Sequence, residues 1–215
     1  MRSRIQFRLF AFLFLVVFPA AKARAQVLEF ESGGLKYKAL TRGGVTIMFA
    51  PLPTRVLGYT ILQVAISNGS PISWSFKPED FRFEQEGGQR IQAVSAGTVV
   101  KQLLDHASRG DVGRLITAYE MALFGNVKVH STNGYESRRQ DYLALGSTKL
   151  KAASAASAIA LVATKLNPGQ STDGAVFYPS KGKPLGSGRL VVDAAAEMFE
   201  FPVEADVQQR SAASR

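Results

Sequence analysis

The chain has 215 residues, 46% of them hydrophobic and 20% charged, with no cysteine and a formal net charge of +9. That length holds one domain, or two small ones, with enough apolar side chains for a true core. It excludes a disulfide-stapled mini-protein, a cysteine-ligated metal centre, a cysteine nucleophile and a lipidated N-terminal cysteine, and the apolar fraction excludes wholesale disorder.

Most of the excess charge lies in the first 25 residues. Arg2, Arg4 and Arg8 form a positive segment, and Leu9 to Ala21 then runs uncharged and rich in Leu, Phe and Val. Thirteen such residues span about 20 Å as a helix, too short for a hydrocarbon core of about 30 Å. Ala23 and Ala25 supply the small residues that signal peptidase needs, so residues 1–25 read as a signal peptide cut before Gln26. An uncleaved segment would instead act as a membrane anchor, the single membrane contact this sequence suggests. The first 25 residues hold five Lys or Arg and no acid, which leaves 21 basic against 17 acidic residues, a net +4. That is an ordinary surface charge and no nucleic-acid footprint. The expected location is therefore exported, either periplasmic or secreted.

Residues 26–97 have a β pattern. Val45 to Phe49 is a short run rich in β-branched residues, with Pro51 and Pro53 expected to end it. Tyr59 to Ser67 alternates, with Thr60, Leu62, Val64 and Ile66 on one face and Gln63, Ala65 and Ser67 on the other. Asn68-Gly69-Ser70-Pro71 is a turn signal, after which Ile72, Trp74 and Phe76 share a face. Glu79-Asp80 leads into Phe81-Arg82-Phe83-Glu84, and Gly87-Gly88 turns into Arg90 to Val94. Strands this short, with turns every eight to twelve residues, argue for an antiparallel sandwich.

Residues 98–165 read as a helical insertion. Val99, Val100, Leu103, Leu104 and Ala107 make one helical stripe that ends near Gly110. Asp111 can cap a second helix with Val112, Leu115, Ile116, Tyr119, Ala122 and Leu123 on its apolar face. After a polar loop at Gly125 to Gly134, a third helical stretch covers Glu136 to Thr164 with a break at Gly146-Ser147. Its second half is crowded with alanine and serine, which lets another backbone approach closely. Loops between sandwich strands usually take two to six residues, so a segment of this length needs structure of its own.

Residues 166–206 return to β. Asn167-Pro168-Gly169 turns the chain into a strand at Ser171 to Tyr178, and Pro179 to Gly188 reads as a flexible hairpin connection. Arg189 to Asp193 and Met198 to Val203 close the pattern, and residues 207–215 form a polar tail. Leu62, Val64, Ile66, Trp74, Phe76, Phe81, Phe177 and Phe201 are expected to share one core.

The two β blocks carry a resemblance. Tyr59 to Asn68, followed by Trp74, Phe76, Asp80, Phe81 and the Gly87-Gly88 hairpin, resembles the first half of a bacterial secreted immunoglobulin-like domain. Asn167-Pro168-Gly169-Gln170-Ser171 with Gly174, Val176 and Phe177 is similar to the later strand of such domains, so the likeness covers about half of the mature chain. The large helical insertion and the missing lipobox cysteine depart from them. What the resemblance implies is the fold, with no catalytic residue transferred: an α+β chain, an antiparallel immunoglobulin-like β-sandwich with an inserted helical subdomain.

Candidate chemistry is sparse. The two histidines are His106, at the end of the first helix beside Asp105, and His130, in a polar loop next to Ser131. A secreted hydrolase would have to use one of them, yet no Gly-x-Ser-x-Gly elbow and no Ser-x-x-Lys accompanies either. There is no His-x-x-x-His and no EF-hand loop, so no metal or cofactor is expected, and Gly182 to Gly188 lacks the Gly-Lys-Ser/Thr ending of a phosphate loop. The densest polar cluster holds Lys128, His130, Tyr135, Arg138, Arg139 and Tyr142. Arginines among tyrosines can grip an acidic partner, so this stretch is the expected binding surface of a non-catalytic protein that meets a protein or cell-envelope partner.

Overall fold

Side chains alternate across a strand, so a strand that is apolar on one face only is half buried. Tyr59–Asn68 (β4) goes further, with nine of its ten residues buried, and must therefore be covered on both faces. The computed structural model describes residues 26–125, 145–194 and 197–204. In it, β1 (Leu28–Ser32), β2 (Leu35–Arg42), β3 (Val45–Val56), β4 and β9 (Ser171–Pro179) form an antiparallel sheet in the order β1-β2-β3-β4-β9. A second antiparallel sheet runs β11 (Glu197–Val203), β10 (Gly188–Ala194), β6 (Phe81–Gln85), β7 (Arg90–Gln92). The short strands β5 (Trp74–Phe76) and β8 (Thr164–Leu166) pair with each other. Helices α1 (Ala96–His106), α2 (Arg109–Gly125) and α3 (Thr148–Ile159) complete an α+β chain.

The two larger sheets share one core. Leu62, Val64 and Ile66 of β4 meet Phe81, Phe83, Leu190, Val192, Phe199 and Phe201 of the second sheet. Phe49 and Phe201 touch edge to face across it, their centroids 5.1 Å apart. Trp74 is buried here, stacked on Phe76. Its indole N–H donates to Ser70 Oγ at 2.9 Å, and Ser70 in turn donates to Asn68 Oδ1 at 2.6 Å. Asn68 Nδ2 reaches the carbonyls of Ile72 and Leu166, so the Asn-Gly-Ser turn is a buried polar knot that seats the tryptophan.

The other face of the five-stranded sheet packs against the helices. Tyr37, Ala50, Tyr59, Ile61 and Phe177 lie beneath Val99, Leu103, Leu115 and the alanines of α3. Residues Ala152, Ala153, Ala155, Ala156 and Ala158 are all buried, so this helix is enclosed on nearly every side. The ends of the helical segment are pinned to β9. Before α1, Val94 N–H donates to Phe177 O at 3.0 Å, and after α3, Leu161 N–H donates to Ala175 O at 2.9 Å. Gly174 permits this approach, because a Cβ there would lie 2.6 Å from the Leu161 backbone.

Several expectations are corrected. Phe177 belongs to the helix-side core, and Val176 and Tyr178 face the aromatic core instead. In a strand buried on both sides apolarity does not reveal the face. Gln63 and Ala65, on the other face of β4, are buried as well. Ile72 is 61% exposed, since β5 starts only at Trp74. Pro51 and Pro53 do not end β3; the strand runs on to Val56 through a register shift between Pro51 and Arg55 that absorbs the missing N–H groups. Asp111 is not the cap of α2 but its partner: Ser108 N–H donates to Asp111 Oδ2 at 2.8 Å and Asp111 N–H to Ser108 Oγ at 3.3 Å, a reciprocal capping box. The α3 helix stops at Ile159, and Thr164 is already in β8. Residues 179–188 are no hairpin, because they cross from one sheet to the other, and Arg55 and Thr60 hold their carbonyls at Gly182 and Lys183.

Candidate functional site

The strand registers bring one cluster of charge together on the outer face of the four-stranded sheet. Glu84 of β6 lies directly opposite Arg90 of β7 and Arg189 of β10. Arg189 holds the Glu84 carboxylate through Nε at 2.8 Å and through a terminal nitrogen at 2.7 Å. Arg82 Nε approaches it at 2.9 Å and Arg90 Nε at 3.4 Å. Arg189 also reaches Glu200 of β11 at 3.2 Å. The Glu84 side chain is only 11% exposed under these arginines. Their hydrogen bonds, Arg189 first and Arg82 next, hold its carboxyl below the usual range, and Glu84 in turn pushes the Arg189 guanidinium up.

Around this network opens a cleft of about 640 Å³, lined also by Gln85, Glu86, Gly88, Gly188 and Pro202. Gly188 is required, because a Cβ there would collide with Glu84 O. Gln85 Nε2 donates to Leu185 O at 2.6 Å and ties the crossing loop to the rim. Arg90 is 73% exposed and spends only Nε on Glu84, so its terminal N–H groups face solvent chemistry. A carboxylate clamped in its ionised form is a poor proton donor or acceptor near neutral pH, whereas a fixed lattice of donors and acceptors suits recognition.

A second, smaller cleft of about 460 Å³ lies by Ser75, Lys77, Asp80, Thr164 and Lys165. The Asp80 carboxyl is raised by burial, against the backbone N–H of Lys77, which donates to it at 2.9 Å. That bond closes the turn Pro78–Asp80 and gives the Glu79-Asp80 pair a local structural role. Under the helices, Gln63 Nε2 donates to Asp173 Oδ2 at 3.2 Å, and burial raises the Tyr37 hydroxyl, with Asp173 adding to the effect.

Of the residues singled out in sequence, Lys128, His130, Tyr135, Arg138, Arg139 and Tyr142 lie outside the described residues, as do Ala23 and Ala25. His106 is exposed in the last turn of α1, where a cation complements the helix dipole. Gln26 is exposed and precedes β1 by two residues. Among the described residues no helix is long and apolar enough to cross a membrane, and no three acidic or histidine side chains gather as a metal site. The Glu84 network was missed in sequence. Arg82 and Glu84, two apart on a strand, hint at a charged face, but Arg189 and Glu200 join them only through long-range register.

No family model matches the chain. No curated protein matches it. Among solved structures it is similar to the yjhA protein from Bacillus subtilis, with a TM-score of 0.35 and 11% identity over 82% of this chain and 96% of that one.

Proposed function

We propose that this chain is an exported, non-catalytic binding module of the cell envelope, an immunoglobulin-like sandwich with an inserted helical subdomain. The sandwich reading draws support from strand pairing. With β3, β4 and β9 taken as A, B and E, and β6, β7, β10 and β11 as C, C′, F and G, the sheets follow the A-B-E and G-F-C-C′ orders of such domains. Export rests on the Arg2, Arg4, Arg8 segment, the apolar run and Ala23-x-Ala25. Cleavage before Gln26 would leave every described strand intact.

The single observation that carries the binding role is the Glu84 network. Its side chains are held by one another before any partner arrives, so little rotamer freedom is lost on association, and Arg90 keeps free donors for a carboxylate on the partner. The partner is a protein or envelope component with an acidic group for Arg90 and a basic one for Glu200. The test is capture from an envelope fraction by the intact chain and by Arg90→Glu. A component retained by the first and lost by the second supports the reading, and equal recovery removes the cleft from it. The sequence also offers the polar stretch Lys128 to Tyr142 to the same partner, so replacing Arg138 and Arg139 by Ala should weaken capture.

A further inference from the structure

The five-stranded sheet ends at β1, and among the described residues no strand pairs with its outer side. An open edge offers a row of backbone donors and acceptors to any extended chain, and proteins close such edges with prolines, bulges, inward charges or a covering segment. The opposite edge, β9, is covered by Val94 and Leu161. Among the described residues β1 has no such cover. It pairs with β2 in unbroken register, contains no proline, and is exposed from Leu28 to Glu31.

Its two faces differ in chemistry. Glu29 and Glu31 share one, directly opposite Lys38 and Lys36 of β2. Lys38 Nζ lies 2.6 Å from Glu29 and holds its carboxyl below the usual range. Leu28 and Phe30 share the other face, 62% and 41% exposed. The Phe30 ring stacks on buried Tyr37 at 5.4 Å, so this apolar strip continues the helix-side core outward.

We propose that the β1 edge accepts an extended segment of a partner protein as a sixth strand, and that this segment alternates basic with apolar residues. Charge complementarity selects it. The ladder runs Lys36 and Lys38, then Glu29 and Glu31, and its next rung is basic again, while apolar residues on the other face would cover Leu28 and Phe30. A second copy of the chain fits poorly, since any self-pairing that keeps Leu28 and Phe30 beside apolar residues sets Glu against Glu. The site lies on a different sheet from the Glu84 network and stands whether or not that cleft binds anything.

The test uses three labelled ten-residue peptides with the full chain: alternating Val and Lys, alternating Val and Glu, and a block isomer with Val and Lys segregated. Fluorescence anisotropy should show the alternating basic peptide binding about tenfold tighter than the other two, weakening with salt, and it should slow amide exchange in β1. A Glu29→Lys, Glu31→Lys chain should prefer the acidic peptide, and a Glu29→Gln, Glu31→Gln chain should lose the preference. Equal affinity for the alternating and block basic peptides, an unchanged preference in the Gln chain, or unprotected β1 amides would overturn the proposal. So would a dimer of the chain that disappears on changing Glu29 and Glu31.

Discussion

The two faces of the five-stranded sheet are covered by opposite means. Against the second sheet the filling is aromatic, with Phe49, Trp74, Phe76, Phe81, Phe83, Tyr178, Phe199 and Phe201 all buried. Against the helices nearly half of the buried residues are alanines, Ala50, Ala175 and those of α3 among them, set between Leu, Ile, Val and Tyr side chains. One core is held by volume and the other by closeness of backbones. They should therefore fail under opposite substitutions: removal of atoms opens a cavity in the first, and addition of atoms forces backbones apart in the second.

The largest effect is expected from Phe201→Ala, which removes a fully buried ring in edge-to-face contact with Phe49. It should cost about 3–5 kcal/mol in urea unfolding. Gly174→Ala is the matching lesion on the helix side. Its added methyl meets the Leu161 backbone, and a loss of about 1–3 kcal/mol is expected, with faster amide exchange at Leu161. If Phe201→Ala were tolerated and Gly174→Ala neutral, the contrast between the cores would collapse.

A smaller change sharpens it. The Tyr178 hydroxyl is fully buried in the aromatic core and finds no hydrogen-bond partner among the described residues. Tyr178→Phe should raise stability by about 1 kcal/mol, because a desolvated unpaired hydroxyl is lost without a change of shape. Burial also raises Tyr178 and Tyr37 above the ordinary tyrosine value of 10.0. The neutral ring is what the core accepts, so this contribution is complete below that value and lost as pH rises beyond it. Alkaline unfolding of the Tyr178→Phe chain should therefore begin at higher pH.

The smallest effect belongs to the surface. Glu84 titrates below its ordinary 4.5 in the folded chain. Its stabilisation is thus fully present above that value and disappears as pH falls through the lower folded value. Circular dichroism from pH 5 to 2 should show a shallower acid transition for Glu84→Gln than for the parent chain.

Much of this contrast was legible in the sequence, though unevenly. Asn68-Gly69-Ser70 and the Trp74, Phe76 pair declared a turn and a buried face because local chemistry alone fixes them. The alanines of α3 signalled close approach correctly. Phe177 was placed on the wrong face because β9 is buried on both sides, so hydrophobicity carries no phase there. Pro51 and Pro53 read as strand breakers because the shift that tolerates them depends on β4, a partner that sequence does not display. The Glu84 network escaped for the same reason, since residues 84 and 189 meet only through sheet register.

The two attachment points of the helices on β9 have a consequence for how such a chain can be rebuilt. Phe177 and Ala175 accept the bonds of Val94 and Leu161 on one strand edge, two residues apart, a gap of about 7 Å. Residues 95 to 160 thus leave and rejoin the strands almost at one place, as a loop with a closed neck. A neck that narrow makes the helical segment exchangeable. A bridge of a few residues could close the gap, and a foreign segment whose own ends lie about 7 Å apart could be spliced in while the pairing of the two sheets stays as it is. Whatever replaced it would have to cover Tyr37, Tyr59, Ile61 and Phe177, the apolar side chains of the sheet that now lie in the helix-side core.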